Sequence, residues 1–197
     1  MEVQIRDDDV LVQSRSWHSA FGRFKQVHEW IVAATEVLHV PSILVNDLML
    51  FPECIEYIKR EIDAGRMRPE IHGMDHVDYA KMSETQVEAA LQEAASWIHT
   101  TLGVKPRLWY TPWGANTPEL VRAASNCGLV LVDTSRIIPV KEVCYKLRVG
   151  DISVEALDGL EFFTHWWEGG ARVQRLCLAI KYGSWAEAQR RHRDSFT

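Results

Sequence analysis

At 197 residues, with 47% hydrophobic and 25% charged side chains, the chain has apolar material for one globular domain with a sizeable core. A formal net charge of -5 and the lack of a concentrated basic stripe exclude a general nucleic-acid binder, and Arg190-Arg191-His192-Arg193 reads as a solvated terminus. Four widely spaced cysteines, Cys54, Cys127, Cys144 and Cys177, exclude a zinc ribbon or dithiol redox pair and read as free, mostly buried thiols.

Val3 to Ile5 opens as a strand, Val27 to Leu38 carries apolar residues at helical spacing, and Ser42 to Val45 is a short β-rich run behind Pro41. Pro52 suits a first helical turn, and Cys54 to Ala64 continues that helix to a stop at Gly65. Glu70 to His72 is the next strand. Ser83-Glu84-Thr85-Gln86 fits a capping box, so a helix is predicted from there to about Leu102, closed by Gly103. Arg107 to Tyr110 reads as a strand, Pro118 to Cys127 as a helix ended by Gly128, and Leu129 to Val132 as a fully buried strand. Leu160 to Thr164 is another strand, and a last helix covers about Arg172 to Tyr182. Strand followed by helix, six or seven times over, predicts a parallel sheet, either doubly wound or closed as a barrel. No linker, low-complexity tract or repeat interrupts residues 1–197, which are read as one domain.

The polar residues with chemical potential follow the strands: Asp8 and Asp9 after the first, His72 and His76 after the third, Thr111 to Gly114, Asp133, and His165. In parallel β/α architectures the carboxyl ends of the strands share one face, where active sites are built. Residues needed only for structure have no reason to choose the same end of every strand. Asp7-Asp8-Asp9 with His72 and His76 offers carboxylate plus two imidazoles, the ligand set of a catalytic divalent metal with open positions. Gly73 after His72 leaves no His-Glu-x-x-His zincin motif, and no glycine-rich nucleotide loop occurs.

In this order, Asp-Asp, His-x-x-x-His with a lysine, methionine and capped helix behind it, Trp-Tyr-Thr-Pro-Trp-Gly, Asp133 and His165 resemble the polysaccharide deacetylases of carbohydrate esterase family 4, the NodB-homology domain. The resemblance covers about residues 3 to 182. Its most specific stretch is Glu70 to Glu84, and next comes Lys105-Pro106 through Pro112-Trp113-Gly114. It implies a distorted (β/α) barrel with about seven parallel strands. It also implies a divalent metal, zinc by preference with cobalt, nickel or manganese as alternatives, held by Asp9, His72 and His76. Reading the acidic run like relatives with Arg-x-Asp-Asp-Val makes Asp8 the base and Asp9 the ligand, whereas the other register assigns Asp7 and Asp8. Strand alternation points Asp7 and Asp9 together and Asp8 away, unless a turn breaks it.

The implied reaction is amide hydrolysis, removing an N-acetyl group from an amino sugar or glycan precursor. It needs an activated water, a stabilised oxyanion and a proton for the departing amine. By the resemblance Asp8 takes the water's proton, His165 protonates the amine, and Asp133 keeps that histidine charged. Backbone near Tyr110, Pro112 and Trp113 binds the oxyanion, and Trp113 and Trp166 offer flat faces to a sugar ring. Each residue has a plainer reading: His165 as a core histidine, Asp133 as a turn cap, the tryptophans as core. His18, His28, His39, His99 and His192 read as surface or packing residues.

Three features depart from the family. Tyr110 stands where an arginine orients the base, with Arg6 as its candidate replacement; Asp133-Thr-Ser-Arg136 replaces an Asp-Trp pair; and the chain as given has no signal peptide, which predicts a cytoplasmic protein. No run approaches the length of a membrane span. Two other readings stand beside the deacetylase: hydrolysis of a non-sugar cyclic amide on the same scaffold, and a catalytically silent carbohydrate-binding domain.

Overall fold

In chain order the strands and helices are β1 (Val3–Val10), α1 (Trp17–Val32), β2 (Val37–Leu44), α2 (Val45–Met49), α3 (Pro52–Asp63), β3 (Glu70–Gly73), α4 (Glu84–Leu102), β4 (Leu108–Trp109), α5 (Pro118–Asn126) and β5 (Val130–Leu131). Then follow β6 (Ile138–Pro139), α6 (Val140–Val149), β7 (Glu161–His165), α7 (Gly170–Tyr182), α8 (Trp185–Arg191) and α9 (Arg193–Phe196). This computed structural model describes residues 3–10, 17–34, 37–134, 137–165 and 170–196, and the side chains of Asp9 and residues 17–20 lie outside that description. The seven strands run in the order β5-β4-β3-β2-β1-β7-β6, and the pairings of β2 with β3, β3 with β4, β4 with β5 and β6 with β7 are parallel. This is the expected distorted (β/α) barrel of seven strands. No described helix is long and apolar enough to cross a membrane.

Contacts group the chain into two compact units, with β1 and β2 each running from one into the other. The first comprises Met1–Asp7, Ser16–Val40 and Ile137–Thr197. Its core joins Val3 and Ile5 of β1 to Val27 and Ile31 of α1, Val143 and Leu147 of α6, Phe162 of β7, and Val173, Leu176 and Ile180 of α7. On each helix these positions recur three or four residues apart, the spacing of a single buried stripe.

Within this unit lies a buried polar chain. Asp7 Oδ2 is 3.8 Å from His39 Nε2, and His39 Nδ1 is 2.9 Å from His28 Nδ1. The His28–His39 contact is satisfied when His28 donates from Nδ1, which puts the His39 proton on Nε2, facing the carboxylate at 3.8 Å, beyond hydrogen-bond reach. Burial pushes the His39 imidazole down to about 3 from its usual 6.5. A histidine held neutral when folded but protonated when unfolded contributes stability that is full above pH 6.5 and lost as pH falls towards 3. Between pH 6.5 and 5 that loss is expected to be roughly 2 kcal/mol, at about 1.4 kcal/mol per pH unit. Urea midpoints across this range should therefore fall more steeply for the wild type than for H39Q; parallel curves would contradict the neutral assignment.

The second unit comprises Asp8–Arg15 and Pro41–Arg136. Its β2–β3 register begins at Ser42 opposite Glu70, so Pro41, which has no N–H to donate, precedes that ladder. The α4 stripe Val87, Leu91, Ala94, Ile98 and Leu102 is buried. The helix starts at the expected capping box, where Gln86 N donates to Ser83 Oγ at 3.3 Å and Ser83 N to Gln86 Oε1 at 2.9 Å. It ends at Gly103, whose φ of 77° is left-handed. Glu70, buried on β3, accepts from the amides of Arg107 and Leu108 at 2.8 Å each and so ties β3 to the start of β4. Burial raises its pKa, against the pull of those amides and of Arg68.

Several elements differ from expectation: β1, expected over Val3 to Ile5, runs to Val10; β2, expected over Ser42 to Val45, is Val37–Leu44; and α2, β6, α8 and α9 were not expected. The expected helix over Val27–Leu38 is α1 at Trp17–Val32, and Val37 and Leu38 open β2 instead, because the apolar spacing continues past the helix end. The strand expected to be fully buried, β5, is an edge strand with Val130 61% exposed. Helix α6 was not anticipated, although Val140, Val143, Cys144 and Leu147 have helical spacing and Gly150 closes it in the left-handed region.

Candidate metal centre

Successive side chains of a strand leave it on opposite faces, and on β1 this separates Asp7 from Asp8. Asp7 belongs to the buried chain with His39. Asp8, also buried, accepts from the Ser42 hydroxyl at 2.8 Å through Oδ1, within the second unit. Asp9 is the next residue of β1, and its side chain lies outside the described residues.

His72 lies near the carboxyl end of β3, 3% exposed, and His76 follows one turn later, partly buried. Their ring centroids are 5.5 Å apart with planes tilted by 39°. Two imidazoles each bound at about 2.0–2.1 Å to one tetrahedral ion have centroids roughly 5 Å apart, so the pair fits a shared divalent metal. Among the described residues no three His, Cys, Asp or Glu side chains converge, and the third expected ligand, Asp9, is not among those searched. The cysteines are no substitute. All four are free thiols, and burial raises each of them, Cys144 up to about 12, so none is a ready thiolate.

The segment after β4 forms the neighbouring wall. Trp113 is 68% exposed and sets its indole edge-on against His76, with centroids 4.4 Å apart. Its backbone is left-handed at φ 55°, a conformation that costs a non-glycine residue about 1–3 kcal/mol and recurs at functional sites. Thr111 holds the turn by donating its hydroxyl to Ala115 O at 2.6 Å. Tyr110 is fully buried and its amide donates to Ile71 O at 2.9 Å in the sheet. Pro112 has no amide proton, so the wall's remaining backbone donors are those of Thr111 and Trp113.

Asp133 follows β5 and is partly buried. In the first unit His165 ends β7, partly buried, with its ring edge-on to Phe163 at 6.1 Å. Trp166 and Trp167 lie outside the described residues.

Residues 43–132 match the family model described as polysaccharide deacetylase. A family 4 carbohydrate esterase from Streptomyces lividans, solved in complex with acetate, superposes with a TM-score of 0.65 at 15% identity over 95% of this chain and 89% of that one. The peptidoglycan deacetylase PdaC from Bacillus subtilis superposes at 0.66 and 13% identity over 98% and 94%. The chain has the polysaccharide deacetylase fold. A pseudoenzyme of carbohydrate esterase family 4 from Bacillus anthracis shares that fold, at 0.66 and 13% identity over 92% of this chain and 60% of that one. No curated protein sequence matches the chain.

Within the polysaccharide deacetylase fold the local departures now have surroundings. Tyr110, read from the resemblance as replacing an arginine, is buried in the second unit. Arg6, its candidate replacement, is buried in the first unit with its guanidinium 5.4 Å from the Phe163 ring centroid. Sequence reading missed Ser42, Asn46 and Tyr79. Ser42 carried a weak signal, a small hydroxyl inside an apolar strand, whereas the hydrogen bonds of Asn46 to Asp75 and of Tyr79 to Met74 carried none.

Proposed function

We propose that the protein is a metal-dependent hydrolase that removes N-acetyl groups from an amino sugar or glycan precursor. The observation that carries the reading is the His72–His76 pair, 5.5 Å apart inside the segment that matches the family model and with Trp113 against it. Asp9, His72 and His76 would hold the metal, zinc by preference. When bound, such an ion supplies a water whose pKa falls from about 15.7 toward about 7 and polarises the scissile carbonyl.

Asp8 takes the proton of the attacking water, its carboxylate plane fixed by the Ser42 hydroxyl on Oδ1. In this reading Asp7, on the His39 side of β1, is the spare carboxylate. The amides of Thr111 and Trp113 are the wall's donors for the developing oxyanion. Trp113, exposed and rigidly turned, offers its face to a sugar ring. His165 and Asp133 keep the roles that the resemblance implies, His165 delivering a proton to the nitrogen as the carbon–nitrogen bond breaks.

Incubating zinc-loaded protein with N-acetylglucosamine oligomers should release acetate, and H76A should abolish that release. Full metal occupancy without acetate would contradict the proposal; opening of a cyclic amide by the same protein would then favour the non-sugar reading. The buried Tyr110 in place of the family arginine favours one other reading, a silent carbohydrate-binding domain. Saccharide binding with no turnover of either substrate would identify it.

A further inference from the structure

We propose that Tyr79 is a positioning residue for the histidine turn, acting through its phenol oxygen, and that Gly73 is glycine to make room for that oxygen. The inference rests on the metal-site reading given above. The turn that separates His72 from His76 has few bonds of its own, and most of its polar contacts converge on two residues from outside it. Tyr79 opens the single 3-10 turn Tyr79–Lys81, started by Asp78, whose side chain accepts from Ala80 N at 3.2 Å. Its ring is 2% exposed and stands edge-on against Trp109 at 5.4 Å. The phenol oxygen accepts from Met74 N at 3.0 Å and donates to Asp75 O at 3.5 Å.

Burial raises the phenol's pKa, so it remains a protonated donor. Asn46 completes the clamp, donating from its backbone to Met74 O at 3.0 Å and from Nδ2 to both Asp75 carboxylate oxygens at 2.9 Å. Trp109, against which Tyr79 packs, donates from its indole to His72 O at 3.1 Å. The backbone on both sides of the gap between the two imidazoles is thus fixed from a single buried side chain and its neighbour.

Gly73 supplies the independent observation. Its φ is not in the left-handed region, unlike seven other glycines of the chain, so the backbone does not require glycine there. A Cβ at Gly73 would instead overlap the Tyr79 phenol oxygen and meet Asp75 O at 3.0 Å. The hydroxyl is the closest obstacle to a side chain at 73, with Tyr79 Cε2 and Asp75 O next at 3.0 Å each. A phenylalanine at 79 would fill the same ring volume but leave the Met74 amide without its acceptor. Partners that orient metal ligands typically contribute about 10–100-fold in metal affinity.

The test is titration of the metal-free protein with Co2+, followed by its visible absorption, and with Zn2+ against a competing chelator. Y79F should bind both ions about 10–100-fold more weakly with an altered cobalt spectrum, and G73A should move the same way. Because removal of the hydroxyl relieves the shortest of the three contacts the new methyl would make, G73A should cost less in the Y79F background than in the wild type. A generally destabilising substitution would not show that non-additivity. Folded Y79F or G73A with wild-type affinity and spectrum overturns the positioning role, while loss of binding in H72A leaves the metal reading standing. If the wild type itself binds neither ion, the metal reading fails, and the role of Tyr79 fails with it. G73A carries the test alone if Y79F does not fold.

Discussion

Alanine at His72 or His76 is expected to lower zinc affinity by more than about 100-fold, beyond the 10–100-fold typical for losing a partner that merely orients a ligand. The reason lies in the count of donors. A catalytic site with three protein ligands has none to spare, and the two rings, 5.5 Å apart, are the described part of that set. His72 is almost fully buried on β3, so H72A also leaves a cavity in the second unit. His76 is partly buried and lies outside the strand, so H76A should retain the stability of the metal-free fold while losing the metal. Metal analysis after dialysis, together with the urea midpoint of the metal-free proteins, separates the two effects. A full equivalent of zinc retained by H76A would remove it from the ligand set.

The second large effect concerns the acidic run. D8N should reduce kcat by about 10²–10⁴-fold, the typical contribution of a positioned general base, while zinc content stays at the wild-type level. D7N should behave in the opposite way. Its amide faces the buried His39 Nε2–H with one neutral oxygen in place of a carboxylate, so it should lose stability and keep most of its turnover. A small shift in kcat accompanied by a lower urea midpoint is the expected signature. If instead D7N abolishes turnover and D8N strips the metal, the register is one residue earlier, with Asp7 as base and Asp8 as ligand.

Much of the fold was legible because its signals are local. The capping box at Ser83 and Gln86, the stop at Gly103 and the apolar stripe of α4 are each contained within a few residues of chain. The placement of His72, Trp113, Asp133 and His165 at or just beyond the ends of strands was also readable, since strand and motif are adjacent in sequence, whereas Asp8, expected after a strand ending at Ile5, lies inside β1, which runs to Val10. Two of the failures were local: the period of α1 runs on into Val37 and Leu38, where spacing alone does not say where a helix stops, and α6 was missed despite its helical spacing and its stop at Gly150. Others depended on partners far away. His39 looked like a packing histidine, but its role comes from Asp7, thirty-two residues earlier, and from His28. Edge exposure of Val130 follows from the order of strands, not from its own segment. Gly73 looked only like the residue that disqualifies a zincin motif; its steric meaning appears once the phenol of Tyr79 folds back onto it.

The most direct measurement is anomalous scattering from crystals of the purified protein at the zinc absorption edge. One strong peak is expected within coordination distance of both His72 and His76, with a carboxylate oxygen of Asp9 as the third protein ligand. A peak away from both histidines, or zinc-supplemented crystals with no peak between them, would contradict the metal-site reading.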